Sequence, residues 1–281
     1  MYTSLRITGE DRHSFLQGQL TQNLDRLGDA GTLPTAWCSP KGRVHLTGRL
    51  VGGADDIRLW MPAASIEPAI RRLTMYRLRA KVNFEAENTY VARAFMAADV
   101  AGLLGSAGHS VSTDFLAPDR AGDVWLIRAG DALEAFGPAA ALDNLGLDAN
   151  NALDDADWRR ARILAGLPDI DPQNAERFTP HMLNLDRLGA LSFDKGCYTG
   201  QEVVARTEHL GKVKRRLKPY RITGADASVG DKLAFDGGDA GEIVNVAGDV
   251  ALAVVGVDRH ADVLTVGDGV AEPLPLPYAI D

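Results

Sequence analysis

From Lys212 onward the chain breaks into short β-prone runs, 217–222, 242–246, 251–257 and 263–266. Tight-turn sequences separate them, notably Asp236-Gly237-Gly238-Asp239 and Gly267-Asp268-Gly269. Short strands at regular spacing leave many unpaired edges, and closing them into a small barrel removes those edges. This predicts a C-terminal β-barrel domain over 210–281. Residues 1–209 read as an α+β body, open to division into two subdomains. Leu16, Leu20, Leu24 and Leu27 recur at helical spacing over 11–27, and Ile66, Ile70 and Leu73 do so over 62–73. Strands are predicted at 43–51, 56–61, 81–85, 90–96 and 123–127, and helices at 131–145 and 154–165.

The net charge of −8 sets the molecule as a whole against nucleic acid and anionic membrane. No apolar run approaches the roughly 20 residues of a membrane span, and no secretory leader is seen at the start. The two cysteines, Cys38 and Cys197, are too few for a disulfide framework and fit reduced thiols, so a cytoplasmic location is expected. His13, His45, His109, His181, His209 and His260 show no paired ligand spacing, so no metal is predicted. There is no nucleophile elbow, phosphate loop or dinucleotide fingerprint.

The densest chemistry lies in Lys195-Gly196-Cys197-Tyr198-Thr199-Gly200-Gln201-Glu202. Residues 191–193 read as a short strand and 202–209 as a helix, which places Cys197 near the opening turn. There the helix dipole and Lys195 both favour thiolate over thiol. If helical geometry begins at Cys197, Gln201 lies one turn below it. Glu202 and Arg206 stand four apart, the spacing of a helical ion pair. Most free cysteines are small buried hydrophobes, and the octapeptide by itself leaves that reading open for Cys197; Cys38 is assigned to packing. Lys41 and Arg43 flank Gly42 in a turn that suits an anion or simply a charged loop. Two basic clusters, one around Arg71–Lys81 and one from Arg206 to Arg221, suit an acidic ligand or an RNA backbone, or balance acids elsewhere.

Three blocks then appear in order. They are Phe15-Leu16-Gln17-Gly18-Gln19-Leu20-Thr21, Ser39-Pro40-Lys41-Gly42-Arg43, and the stretch from Ala165-Gly166 through Phe178-Thr179-Pro180-His181-Met182-Leu183-Asn184-Leu185-Asp186 to the octapeptide. In this combination the chain resembles the YgfZ family, itself similar to the folate-dependent T-protein of the glycine cleavage system. The resemblance implies a T-protein-like α/β body around a central cleft with a small C-terminal β-barrel. It implies a folate-binding accessory role in iron–sulfur cluster assembly or repair, supporting tRNA modification indirectly, with Cys197 as the functional thiol. Tetrahydrofolate or a derivative is the expected cofactor, and iron–sulfur client enzymes or assembly factors are the expected partners. Lys195, Gly196, Tyr198, Gly200, Gln201 and Glu202 carry over as motif positions. Lys41, Arg43, Arg162 and Arg206 are candidate ligand contacts.

Two departures from the T-protein pattern bear on chemistry. The position of its Asp pair is occupied by His45-Leu46, which removes the carboxylate expected to activate a folate nitrogen. The position of its pterin-binding Glu is Leu164, which removes a natural partner for the pterin donors. A folate-dependent aminomethyl or one-carbon transferase is the alternative reading, with Asp114, Asp123 or Glu85 as substitute base. A tRNA-binding protein is the second alternative, though direct tRNA binding is not expected.

Overall fold

The computed structural model describes residues 2–280. They form two compact units, each built from two stretches of chain: 1–88 with 169–213, and 89–168 with 214–281. The barrel thus shares its unit with 89–168, a grouping that differs from a single cut near residue 210.

The first unit is organised on a five-stranded sheet in the order β2-β3-β4-β1-β5, with all neighbours antiparallel. Its strands are β1 (Tyr2–Thr8), β2 (Thr32–Cys38), β3 (Val44–Gly52), β4 (Asp56–Pro62) and β5 (Asn83–Glu87). One face of the sheet buries Leu5, Ile7, Leu50, Leu59 and Met61 against Leu16, Leu20 and Leu73. The buried guanidinium of Arg58 is balanced on both sides: Nε lies 2.7 Å from Glu87 and an η nitrogen 2.7 Å from Asp56. A buried charge is tolerable only when paired in this way.

The leucine stripe over 11–27 does not give one helix. Helix α1 (Arg12–Gln17) stops at Gly18, Leu20 makes an isolated bridge to Trp37, and α2 (Leu27–Ala30) follows a 3₁₀ turn. Polar groups divert the backbone: Gln17 Oε1 accepts from the Leu24 amide, Asn23 caps the Asp25 amide, and Lys195 takes the carbonyls of Gln17, Leu20 and Gln22. The leucines still reach the core by turning rather than by helical phase. Helix α3 spans Ile66–Arg77, a few residues later than the predicted 62–73.

The second unit carries a four-stranded antiparallel sheet in the order β6-β9-β8-β7. Its strands are β6 (Tyr90–Met96), β7 (Pro118–Ala121), β8 (Val124–Ala129) and β9 (Ala132–Pro138). Helices α4 (Ala97–Ser106) and α5 (Ala139–Asn144) supply Val100, Leu104 and Leu142 to its core. The predicted helix over 131–145 is instead divided into strand β9 (Ala132–Pro138) and helix α5 (Ala139–Asn144). β9 is paired on both edges, and its residues 132–137 are all buried, so ladder pairing overrides the helical propensity of its alanines. Helix α6 (Asp155–Leu164) is capped by Asp154, whose side chain accepts from the amides of Ala156 and Asp157.

The predicted barrel is present and closed. Its strands are β10 (Arg215–Thr223), β11 (Lys232–Phe235), β12 (Gly238–Ala247), β13 (Val250–Gly256), β14 (Leu264–Val266) and β15 (Gly269–Pro273). They run in the order β10-β13-β12-β11-β14-β15, and β10 pairs with β15 to close the ring. Tyr220, Leu233, Ile243, Val255 and Leu264 fill it. The α+β class with a C-terminal barrel follows the expectation.

Candidate functional site

In the first unit the segments Phe15–Thr21 and Ser39–Arg43 converge with the octapeptide. The Ser39–Arg43 turn is closed by an amide of Gly42 on the Ser39 carbonyl at 2.8 Å, with Gly42 at φ +66°. Gly200, at φ +85°, packs onto this turn so closely that a Cβ there would lie 2.4 Å from the Ser39 carbonyl oxygen. Both glycines sit in the left-handed region that other L-residues enter only at a cost. The Thr199 amide donates to the Gly18 carbonyl at 3.2 Å, and Thr21 Oγ1 donates to the Ala190 carbonyl at 2.7 Å.

Lys195 is the knot. Its ammonium donates to the carbonyls of Gln17, Leu20 and Gln22 at 2.7, 2.7 and 2.8 Å, which uses all three of its N–H groups. It also lies 5.0 Å from the Tyr198 ring centroid, within cation–π range. Burial lowers its pKa to about 8. Lys195 therefore anchors the octapeptide.

The helix after the motif, α7, spans Gln201–Leu210 and begins at Gly200. Cys197 lies before it in an irregular loop, and 191–193 is not a strand. Cys197 thus lies near the turn that opens the helix, as expected; helical geometry does not begin at Cys197 itself, because the left-handed Gly200 precedes helix entry. Gln201 instead turns back to accept from the Tyr198 amide at 3.2 Å. Cys197 and Gly196 are exposed, and open space lies where a Gly196 side chain would extend. Tyr198 is buried and its hydroxyl has no hydrogen-bond partner among the described residues; burial raises its pKa, with Cys38 adding to the effect. Cys38 is fully enclosed, and burial pushes its thiol up to about 12, in keeping with its packing role. Glu202 and Arg206 pair at 2.9 Å on the exposed face of α7.

The candidate ligand cations do not assemble. An Arg43 η nitrogen donates to the Arg177 carbonyl at 2.7 Å, and Arg206 is held by Glu202. Arg162 lies in the second unit, 2.6 Å from buried Glu134, whose same oxygen accepts from Trp158 Nε1 at 2.7 Å. That pairing gives the half-buried Arg162 a structural role. Lys41 is exposed and lowers the pKa of Glu176 together with Arg72 and His45. Of the C-terminal basic cluster, Arg215 and Arg221 pair with Asp239 and Asp249, and Lys218 donates to the His260 carbonyl.

Two cavities accompany this arrangement, one in each unit. In the first unit a cavity of about 320 Å³ is lined by Trp37, His45, Arg72 and Glu176 among others. Arg72 contacts the His45 ring and reaches Glu176 at 2.9 Å. Burial, then the Arg72 charge, lowers His45 to about 4, so it is neutral at pH 7. In the second unit a cavity of about 590 Å³ is lined by Leu153, Leu164 and Leu276 with Asp131, Asp157 and Arg160. The substitute bases Asp114, Asp123 and Glu85 are exposed and line neither cavity. Sequence reading also missed the gathering of His181, Asp186 and Glu208, whose ligand atoms all lie within 4.8 Å of one another.

No family model matches the chain. Curated relatives do. The chain is 33% identical to the tRNA-modifying protein YgfZ of Escherichia coli O157:H7, over 78% of this chain and 68% of that protein. It is 32% identical to the YgfZ of Klebsiella pneumoniae, over 83% and 73%, and 30% identical to that of Edwardsiella ictaluri, over 99% and 90%. The chain belongs to the YgfZ family. Among solved structures, the glycine cleavage system aminomethyltransferase T from Bartonella henselae matches with a TM-score of 0.66, covering 99% of this chain and 84% of that one. At 17% identity that match establishes a shared fold. In this YgfZ-family chain the motif glycines, the Lys195 anchor and the exposed Cys197 all belong to the first unit. No helix among the described residues is long and apolar enough to cross a membrane.

Proposed function

We propose that this chain is a folate-binding accessory protein of iron–sulfur cluster assembly or repair, supporting tRNA modification indirectly and acting through Cys197. One observation carries the reading: an exposed thiol presented on a loop that Lys195, Gly200 and Thr199 fasten to the rest of the unit. A thiol needs access to react, and a fixed loop gives it a fixed address. One thiolate does not hold a stable cluster, which takes four protein ligands as a rule, so contact with a cluster would be transient or shared with a partner.

The residues of the larger cavity fit a reduced folate. Its volume is that of an ordinary small-molecule site, its walls are leucine-rich, and Asp131 and Asp157 supply carboxylates for pterin donors in place of the one lost at Leu164. A bound reduced folate would supply one-carbon or redox chemistry. In the transferase reading a carboxylate base is required; His45 stands at the expected position and none of the substitute acids lines a cavity, which favours the accessory role. The paired cations of the C-terminal cluster likewise support an indirect link to tRNA.

The test is Cys197→Ala in cells lacking the protein, with the activity of cluster-dependent enzymes as readout. Loss of that activity with a folded variant is expected; full activity would overturn the reading. Titration with reduced folates, repeated with Asp131→Asn and Asp157→Asn, tests the cofactor separately.

A further inference from the structure

We propose that His181, Asp186 and Glu208 form a binding site for a divalent transition-metal ion at the C-terminal end of α7. The site stands apart from the Cys197 loop and does not depend on the folate reading. Two stretches distant in sequence supply the donors: a turn-rich segment gives His181 and Asp186, and the last turn of α7 gives Glu208. His181 Nε2 lies 2.9 Å from a Glu208 carboxylate oxygen, and the three donor atoms all fall within 4.8 Å of one another.

These distances suit a metal. With metal–ligand bonds of ~2.1 Å, neighbouring donors in an octahedral site are ~3 Å apart and opposite ones ~4.2 Å. The His181–Glu208 distance of 2.9 Å is already that of neighbouring donors, and Glu208 is 37% exposed. One imidazole with two carboxylates is a borderline nitrogen and oxygen set, suited to Zn²⁺, Co²⁺ or Mn²⁺ more than to the all-oxygen ions. The two carboxylates supply negative charge toward a divalent ion, and Arg187, whose Nε lies 3.5 Å from Asp186, opposes part of it.

The surroundings favour a cation further. The end of a helix carries partial negative charge from its free carbonyls, and Glu208 is the third residue from the end of α7. The His181 side chain is almost wholly buried, and the Phe193 ring lies between His181 and His209 at centroid distances of 6.5 and 5.8 Å. That apolar shield keeps the imidazole side of the site dry, while Glu208 leaves the other side open to the waters that complete the coordination. Because α7 begins within the octapeptide, at Gln201, an ion here would fasten the far end of the helix whose near end is fastened by Gly200.

The experiment uses the full chain, stripped with a chelator and titrated with Co²⁺ and then Zn²⁺. One Co²⁺ per chain is expected, with visible d–d absorption and without the charge-transfer band of a thiolate, and Zn²⁺ displaces it. Glu208→Gln and Asp186→Asn each weaken uptake by about tenfold or more, while Cys197→Ser leaves it unchanged. Circular dichroism verifies that the exposed Glu208→Gln variant is folded, and Asp186→Asn gives an independent reading. Absence of stoichiometric uptake, uptake that survives both substitutions, or uptake lost in Cys197→Ser overturns the proposal.

Discussion

Gly42 and Gly200 meet backbone to backbone: a Cβ built on Gly200 would lie 3.2 Å from the Gly42 Cα. The contact joins two motifs about 160 residues apart and leaves no volume for a side chain on either. Gly200→Ala adds the left-handed backbone cost to a collision with the Ser39 carbonyl, so a loss of about 3 kcal/mol or more is expected. Gly42→Ala, also at positive φ, meets Val203 Cβ at 2.7 Å, an atom fixed to the α7 backbone, so a loss of similar size is expected. Urea unfolding of both variants checks this; small losses would contradict the close packing.

Lys195→Met keeps the length of the side chain and deletes the three donors that hold the carbonyls of Gln17, Leu20 and Gln22. Charge-assisted bonds to a partly buried ammonium are individually strong but not additive, so a loss of about 2–5 kcal/mol is expected. Lys195→Arg does not rescue, because a planar guanidinium cannot match three carbonyls converging on one nitrogen. Denaturant midpoints give the measurement, and a Met variant as stable as the parent removes the anchor.

These two features mark what the sequence makes legible. The octapeptide is visible as a concentration of chemistry, and the barrel as a rhythm of strands and turns. Lys195 reads as a partner for Cys197 because the two are neighbours in sequence; its actual partners lie more than 170 residues away. Arg162 reads as a ligand cation because nothing local claims it, while buried Glu134 on the central strand does. The helix expected over 131–145 holds only in its second half, α5, for the same reason: Ala132–Pro138 is pinned by two neighbouring strands, a non-local cause that periodicity does not register. Long-range pairing of polar groups is where one-dimensional reading ends.

The two thiols should report their surroundings in opposite ways. Cys197 is exposed, whereas Cys38 has no accessible surface and a pKa pushed up to about 12. One thiol per chain should react with a disulfide reagent in the native state, and a second only in denaturant. Cys197→Ala should abolish the native-state reaction and change stability by no more than about 0.5 kcal/mol, as for exposed positions generally. Reaction of both thiols at equal rates in the native protein would contradict the burial of Cys38.

Asp169 should give the first unit a distinctive pH dependence. The residue is only partly buried, yet the protein packed around its carboxyl pushes the pKa up to about 8, with Asp171 adding repulsion. The Tyr2 hydroxyl donates to one of its oxygens, tying β1 to the start of the 169–213 stretch. A folded-state pKa above the unfolded one means that the folded chain holds the proton more tightly. The stabilisation is complete below about pH 4 and is lost as pH rises through about 8. Asp169→Asn keeps an acceptor for Tyr2 and cannot ionise, so its melting temperature should fall less between pH 5 and pH 9 than that of the parent. The variant should be the more stable of the two at pH 9. Parallel melting profiles across that window would show that the Asp169 carboxyl titrates without linkage to folding.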